Sequence, residues 1–429
     1  MSIWSGDSLR TCFSFVVLAF FLTFVFIAGV LQEINKNRAI NQKIDFPDFG
    51  HYNGNFIKNI PDSVLPIDDQ RKRIIAIGDI HGMNNSLTDL LDEIHYDSKR
   101  DSLIHLGDLE TRATIHDSID VLSFMSSNRI LGVRGNNDQK VIEWRAWMNW
   151  ILSQPGGREW LSVMDKRWPN LDGDKRIQRT ELEKWVETSR YASWKKMVPV
   201  GWHPLGKHYR VARAMSPGLF EYLSSLPLVL HSPTGHMVFV HAGLLSSHPK
   251  LQVSDPRQPL SHWPTMDDQH GISNLRDKQE VAVLTQIPEN KDPWTVTNIK
   301  SVTDEGIVSP SPKKGTPWSQ LWNDTMSKCS GNSGTNGGEA YQPTSLPCYP
   351  FTVVYGHAAG RGLDIKRWSI GLDTGCSYGR QLSAVVLDGS SFSSATYQFR
   401  DNIHGRAPRS QEIDFGDNGQ ARIFSVSCA

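Results

Sequence analysis

The sequence predicts a layered α/β domain with a segment appended at each end, and three observations carry that reading. From Arg73 onward, short β-branched runs alternate with helical ones such as SLTDLLDEIHY and IHDSIDVLSFMSS, the pattern of strands covered by helices. Five apolar runs, RIIAIGDIHG, SLIHLGDL, RILGVRGNND, MVFVHAGL and FTVVYGHA, each lead into residues suited to a divalent cation: Asp79 with His81, then Asp108, Asn136, His241 and His357. Strand ends along one edge of a sheet bring carboxylate, amide oxygen and imidazole to one place. Third, 429 residues with 45 basic against 45 acidic side chains and 39% apolar content suit one large globular domain and argue against a dedicated nucleic-acid binder.

In chain order, residues 1–11 form a short tail and residues 12–31 an uncharged run whose only hydroxyl residues are Ser14 and Thr23. Twenty residues rising about 1.5 Å each span roughly 30 Å, the thickness of a hydrocarbon core. The run reads as one transmembrane anchor, with a cleaved signal peptide as the rival. Arg10 before it and Lys36, Arg38 and Lys43 after it favour a cytosolic domain by charge count. The cysteines favour the lumen: Cys329 and Cys348 flank a Gly/Ser/Asn-rich stretch that a disulfide would close, and Asn323 begins a glycosylation sequon. Residues 32–70 read as a linker or an arm laid over the domain, residues 71–400 as the domain itself, and residues 401–429 as an irregular tail.

Two insertions interrupt the alternation. Residues 141–215 hold eight tryptophans and 14 Lys/Arg against eight Asp/Glu, in helical stretches such as VIEWRAWMNWIL. Trp144, Trp147 and Trp150, three apart, form one helix face, which reads as the core of a helical cap; the surplus of basic groups would draw in a polyanion. Residues 246–350 are rich in Pro, Ser and Asp and read as loop. Outside the strand-end motifs, His51, His105, His203, His231 and His236 are read as surface or structural, with His208 a candidate for substrate contact.

The motifs GDIHG, GD, GN and the two later histidines, in that order, resemble the metallophosphoesterase superfamily, in the branch of serine/threonine protein phosphatases and diadenosine tetraphosphatases. GTPWSQLWND from Gly315 and SIGLDTGCSYGRQLSAVVLDG from Ser369 extend the resemblance to roughly residues 73–399. It implies a four-layer α/β/β/α sandwich and two divalent metals. Asp79 and His81 match the ligands of the first metal, Asp108 the bridging carboxylate, and Asn136, His241 and His357 the ligands of the second. Arg112 matches a phosphate-clamping arginine. Arg134, before the GN pair, and Arg361 are further candidates to bind substrate, a structural salt bridge being the rival for Arg112 and Arg134.

The departures from the family pattern point to a substrate. Where the family writes GNHD or GNHE, this chain has Asn137 and Asp138, so an amide stands where a histidine would protonate the leaving oxygen, and Thr111 replaces the acid that would pair with that histidine. An amide cannot act as a general acid. Phosphate leaves as a stable anion without that proton, whereas a serine alkoxide needs it. Asp108, Asn137, Asp138 and Arg112 are therefore the residues assigned to catalysis. With its anchor, its basic cap and VRGNNDQKVIEWRAW, the chain is most similar to fungal vacuolar zinc-dependent endopolyphosphatases. That resemblance implies zinc, with manganese or cobalt as alternatives, cleavage of inorganic polyphosphate by metal-activated water, and a single-pass vacuolar membrane protein with a lumenal domain. A protein phosphatase or dinucleoside polyphosphatase is the same-class alternative, and a membrane-tethered pseudophosphatase the alternative of another class.

Overall fold

The structure is a computed structural model that describes residues 20–29, 45–50, 56–64, 69, 72–110, 112–169, 180–182, 184–185, 192–264, 272–331, 345–388 and 410–428. Residues 20–29 are helical and exposed; the rest of the expected anchor, with Arg10, Lys36, Arg38, Lys43, His51 and Thr111, lies outside the described residues. Among the described residues no helix is long and apolar enough to cross a membrane.

Two mixed six-stranded sheets form the centre. The strands are β1 (Ile57–Asn59), β2 (Arg73–Ile77), β3 (Asp101–His105), β4 (Leu131–Gly132), β5 (Val229–Ser232), β6 (Met237–Val240), β7 (Ser301–Val302), β8 (Val308–Ser309), β9 (Thr316–Pro317), β10 (Thr352–Tyr355), β11 (Asp364–Lys366), β12 (Ser369–Gly371), β13 (Gln381–Asp388), β14 (Ser410–Phe415) and β15 (Gly419–Ser427). One sheet has the order β1-β5-β6-β10-β12-β11 and the other β14-β15-β13-β2-β3-β4, with β8-β7-β9 forming a small third sheet. Strands β2, β3 and β4 run parallel, as do β6, β10 and β12. Their carboxyl ends therefore open on one edge.

Period-two alternation within single strands shows how the layers stack. In β2, Ile74 and Ala76 enter the core between the two sheets, while Ile75 and Ile77 face a second core under helices α1 (Asn84–Glu93), α2 (Ile115–Ser127), α3 (Asn136–Ser153) and α4 (Gly157–Arg167). In β6, Met237 and Phe239 join the intersheet core, and Val238 and Val240 face a third core on the outer side. Both faces of these strands are buried, which is why they read as continuous Val/Ile runs.

One pair of alternatives is resolved and three expectations are corrected. The segment read as a linker contributes β1, which pairs with β5 from Ile57 opposite Val229, and Phe46 and Phe49 pack edge-on against Trp150; the arm reading is the one that fits. The tail read as irregular contains the β14–β15 hairpin, with Ile413, Phe415, Ala421 and Ile423 buried, and a disulfide joins Cys428 to Cys376. Residues 246–350, read as loop, contain the helices Ile272–Gln286, Pro293–Asn298 and Trp318–Met326, whose apolar faces cover the third core through Val283, Val296 and Trp322. The Asn323 amide donates to Ser319 O at 2.7 Å and Ser369 Oγ at 2.8 Å and accepts from the Trp368 N–H at 2.8 Å, so its amide is committed inside the protein and is not presented for glycan attachment. The Cys329–Cys348 disulfide forms.

Candidate metal centre

The six expected ligands meet at the open edge where the parallel strands end. Asp79 and His81 follow β2, Asp108 follows β3, Asn136 and Asn137 open α3 just after β4, His241 follows β6 and His357 follows β10. The turns that aim them are strained: His81 (φ +52°), Asp108 (φ +52°) and His357 (φ +65°) adopt left-handed backbone, a region non-glycine residues seldom occupy. Two glycines admit the carboxylates. A Cβ at Gly135 would lie 2.3 Å from Asp108 Oδ1, and one at Gly356 2.1 Å from Asp79 Oδ1.

Asp79, His81 and Asp108 each offer a ligand atom within 4.8 Å of one another, and all three are buried. Asp108 faces both ways: Oδ2 lies 3.6 Å from His81 Nε2, and Oδ1 lies 3.6 Å from His241 Nε2. His241 Nε2 is 3.1 Å from Asn136 Oδ1, and the His241 and His357 rings have centroids 4.9 Å apart.

Each histidine spends one ring nitrogen on a backbone carbonyl. His241 Nδ1 donates to Leu106 O at 2.7 Å, His81 Nδ1 faces Glu110 O at 3.3 Å, and His357 Nε2 faces Asn298 O at 3.2 Å. This outer contact fixes the tautomer and leaves the other nitrogen as a lone pair aimed inward, the habit of metal-ligating imidazoles. In neutral His241, Nε2 is then an acceptor that meets two more acceptors, Asn136 Oδ1 and Asp108 Oδ1. Either a proton on Nε2 or a cation among the three relieves that repulsion, and the set of carboxylate, amide oxygen and imidazole fits a divalent metal.

The carboxylates agree. Burial, then Asp373 and Asp108, hold Asp79 well above the usual carboxylate range. Burial would also raise Asp108, but the imidazoles of His241 and His81, the Asn137 N–H and His357 outweigh it and hold that carboxyl low. Asp373, in the SIGLDTG segment, is buried and was not singled out by the sequence; its signal was the position of an acid directly after β12.

The other expected residues divide sharply. Asn137 donates to Asp108 twice, from its backbone N–H to Oδ1 at 2.8 Å and from Nδ2 to Oδ2 at 2.6 Å. Its Oδ1 lies 2.9 Å from His208 Nε2. Asp138, assigned to catalysis, is fully buried and accepts the N–H groups of Asp108 (2.9 Å), Leu109 (3.0 Å) and Gly135 (2.6 Å); it ties the ligand loops together and does not face the opening. Arg134, expected to bind substrate, is buried and donates to Gln139 Oε1 at 3.0 Å and Ser224 O at 2.5 Å. Arg361 is likewise turned inward, donating to Lys300 O and lying 3.5 Å from Asp364 Oδ2. Only Arg112 keeps an exposed guanidinium, 5.3 Å from the Tyr378 ring centroid and 3.3 Å from its hydroxyl. Arg380 flanks the same ring at 5.9 Å, so two arginines share one aromatic support where the sequence suggested one.

The cap carries less free charge than its composition implies. Arg145 donates to Ala212 O and Met215 O, Arg210 is buried against Leu205 O, and Arg213 pairs with Asp165 at 2.7 Å. Lys207 and Lys140 do act on the site: burial, then these two cations, push His208 down to about 3.

Residues 72–231 match the family model described as calcineurin-like phosphoesterase. Over that stretch, which holds Asp79, His81, Asp108 and Asn136, the chain is similar to calcineurin-like phosphoesterases. A symmetrical bis(5'-nucleosyl)-tetraphosphatase of Nitrosospira multiformis is 24% identical over 318 residues, spanning 73% of this chain and 92% of that protein. Serine/threonine-protein phosphatase 1 of Salmonella typhimurium is 31% identical over 91 residues, 21% of this chain and 41% of the relative. A crystal structure described as that of a candidate diadenosine tetraphosphatase aligns with a TM-score of 0.40 at 20% identity, covering 77% of this chain and 93% of that one. The chain holds its candidate strand-end ligands on two mixed sheets, in the order the sequence places them.

Proposed function

We propose that this chain is a metallophosphoesterase that hydrolyses phosphoanhydride bonds, with inorganic polyphosphate as its substrate and two divalent metals, zinc foremost, as its cofactors. The observation that carries the reading is the meeting of His241 Nε2, Asn136 Oδ1 and Asp108 Oδ1, a donor set suited to a divalent cation. Asp79, His81 and Asp108 would hold one metal, and Asp108, Asn136, His241 and His357 the other. Bound metals supply an activated water and offset charge on the phosphoryl oxygens.

The protein's own groups do the rest. Asn137 holds both oxygens of Asp108 and so fixes the shared carboxylate. Arg112, with Arg380 beside it, offers a planar donor to a phosphate. Asn137 cannot give up a proton, and a departing phosphate does not require one, which supports an anhydride over a serine or threonine phosphate. The 24% identical relative, matched over 92% of its length, supports a second reading within the same bond class, a dinucleoside polyphosphate. Two disulfides, Cys329–Cys348 and Cys376–Cys428, support an oxidising compartment, in keeping with a lumenal domain anchored in the vacuolar membrane by residues 12–31.

The test is an assay of the full chain with zinc, manganese or cobalt against polyphosphate, a dinucleoside tetraphosphate and a phosphopeptide. Polyphosphate cleavage above the other two is the expected result. Preference for the dinucleotide moves the assignment to the second reading, preference for the phosphopeptide overturns the anhydride argument, and no hydrolysis of any substrate makes the protein a pseudophosphatase.

A further inference from the structure

We propose that His208, carried in by the cap, supplies a hydrogen bond to the departing phosphate oxygen. This deepens the hydrolase reading and rests on it.

The argument runs outward from Asp108. A carboxylate only accepts, so Asn137 must turn Nδ2 toward it, as the 2.6 Å contact records. That orientation leaves Asn137 Oδ1 pointing the other way, as an acceptor. The group 2.9 Å from it is His208 Nε2, which must therefore carry the hydrogen. Asn137 thus acts as a spacer, relaying the accepting character of the bridging carboxylate one residue outward and selecting one tautomer of a histidine 71 positions away.

The placement suits a group that meets substrate. His208 sits in the first turn of the helix Lys207–Ala214, packed against α3, and its side chain is only partly buried. The charged groups facing it are Lys207, Lys140, Arg112 and Asp108, three cations and one carboxylate. That surround draws in a phosphate chain and brings its oxygens past the Nε2–H. During cleavage the attacking water oxygen forms the new P–O bond, and the electron pair of the breaking bond stays on the departing phosphate oxygen. The water's surplus proton passes to solvent. The Nε2–H swings from Asn137 Oδ1 to the departing oxygen as a hydrogen bond, and the proton remains on the ring. Such a donor stabilises an anion that is already a good leaving group and falls short of what an alkoxide needs.

The experiment compares wild type with His208→Ala and His208→Gln, the latter keeping an N–H donor, on polyphosphate and on aryl monophosphates whose leaving phenols span a range of basicity. Removing one preorganised donor costs roughly 10²–10³ in kcat at sites of this kind, so His208→Ala should lose about that much on polyphosphate with little change in KM and with metal content equal to wild type. Its rates across the aryl series should fall more steeply with leaving-group basicity, and His208→Gln should recover most of the loss. A uniform loss with unchanged steepness, or no loss, overturns the inference while leaving the hydrolase reading intact. An inactive wild type overturns both. A readout free of turnover is the ring tautomer: long-range proton–nitrogen correlation spectra should place the His208 hydrogen on Nε2, and finding it on Nδ1 also overturns the inference.

Discussion

The two insertions approach the metal centre from opposite faces of the sandwich and contribute in different ways. The first, residues 141–215, lies on the helix-covered face of the β2 sheet and sends a side chain, His208, toward the opening. The second, residues 246–350, lies on the outer face of the β6 sheet and sends backbone: Asn298 O meets His357 Nε2, and Lys300 O takes Arg361. Trp318 from this second insertion packs 4.6 Å from Tyr355 and fills the space beside Gly243, where a Cβ would come within 2.2 Å of the indole. One insertion therefore sends a side chain toward the opening, and the other backs the loops that carry His241 and His357. Proximity to a site is thus a poor guide to role; what each segment presents, side chain or carbonyl, separates them.

The contrast depends on a common centre, and the largest expected effect comes from removing it. Asp108→Asn should release most bound metal and cut activity by more than the roughly 10–100-fold that loss of a supporting contact costs, with the fold retained by circular dichroism. Two metals per chain by elemental analysis in that variant would contradict the bridging role. Next come the paired tryptophans. Trp147 in the first insertion and Trp318 in the second are both fully buried, and truncating either to alanine should cost about 3–5 kcal/mol. Denaturant titration should give similar losses, but Trp318→Ala should also weaken metal binding, because it backs the His241 and His357 loops, and Trp147→Ala should not. Equal metal affinities in the two variants would erase the distinction between the insertions.

A smaller effect belongs to His105 in β3. Its Nδ1 accepts the Gly107 N–H at 3.3 Å and its Nε2 lies 3.0 Å from the Tyr222 hydroxyl, which donates to Ile130 O. Burial pushes this imidazole down to about 4, so it is neutral in the fold and protonates more readily once unfolded. Stability from this group is complete above the unfolded value near 6.5 and is lost as pH falls from there toward 4, about 3 kcal/mol in all. Chemical denaturation across that interval should show a shallower pH slope in His105→Gln than in wild type. An unchanged slope would mean His105 titrates alike in both states. Smallest is the arginine pair. Arg112→Ala should raise KM for polyphosphate roughly tenfold without loss of stability, and Arg134→Ala should lose about 1–3 kcal/mol of stability because buried Gln139 and the partly buried Ser224 O are left without their donor. The reverse pattern would exchange their roles.

The convergence of the six candidate ligands was legible because each follows a strand whose apolar run is continuous, and strand order brings those ends together. The roles of Asp138, Arg134 and Arg361 were not, because side-chain direction is set by tertiary contacts: the same arginine that could clamp phosphate instead satisfies a carbonyl of the helix Pro217–Ser225. The β14–β15 hairpin did carry its signal, in the alternation of buried Ile413 and Phe415 with exposed Glu412 and Asp414. Its partner β13 is distant in sequence, however, and the turn around Gly416 reads as irregular. The helix Ile272–Gln286 hid for a related reason, being embedded among Pro- and Ser-rich loops and carrying its buried groups, Gln279 and Glu280 among them, without a clean apolar stripe. His208 could be named as a candidate, but its contact with Asn137 spans two elements and only the folded chain brings them together.

The left-handed backbone at His81, Asp108 and His357 has a consequence for how tightly the protein keeps its ions. Conformations of this kind cost on the order of 1–3 kcal/mol each and persist only while surrounding structure enforces them. Affinity for a bound metal would then be distributed through the sandwich as torsional preload, set by the packing behind the loops together with the donor atoms. A change that merely slackens that packing would let the three turns relax toward ordinary backbone and raise the rate of ion loss while every ligand is still in place.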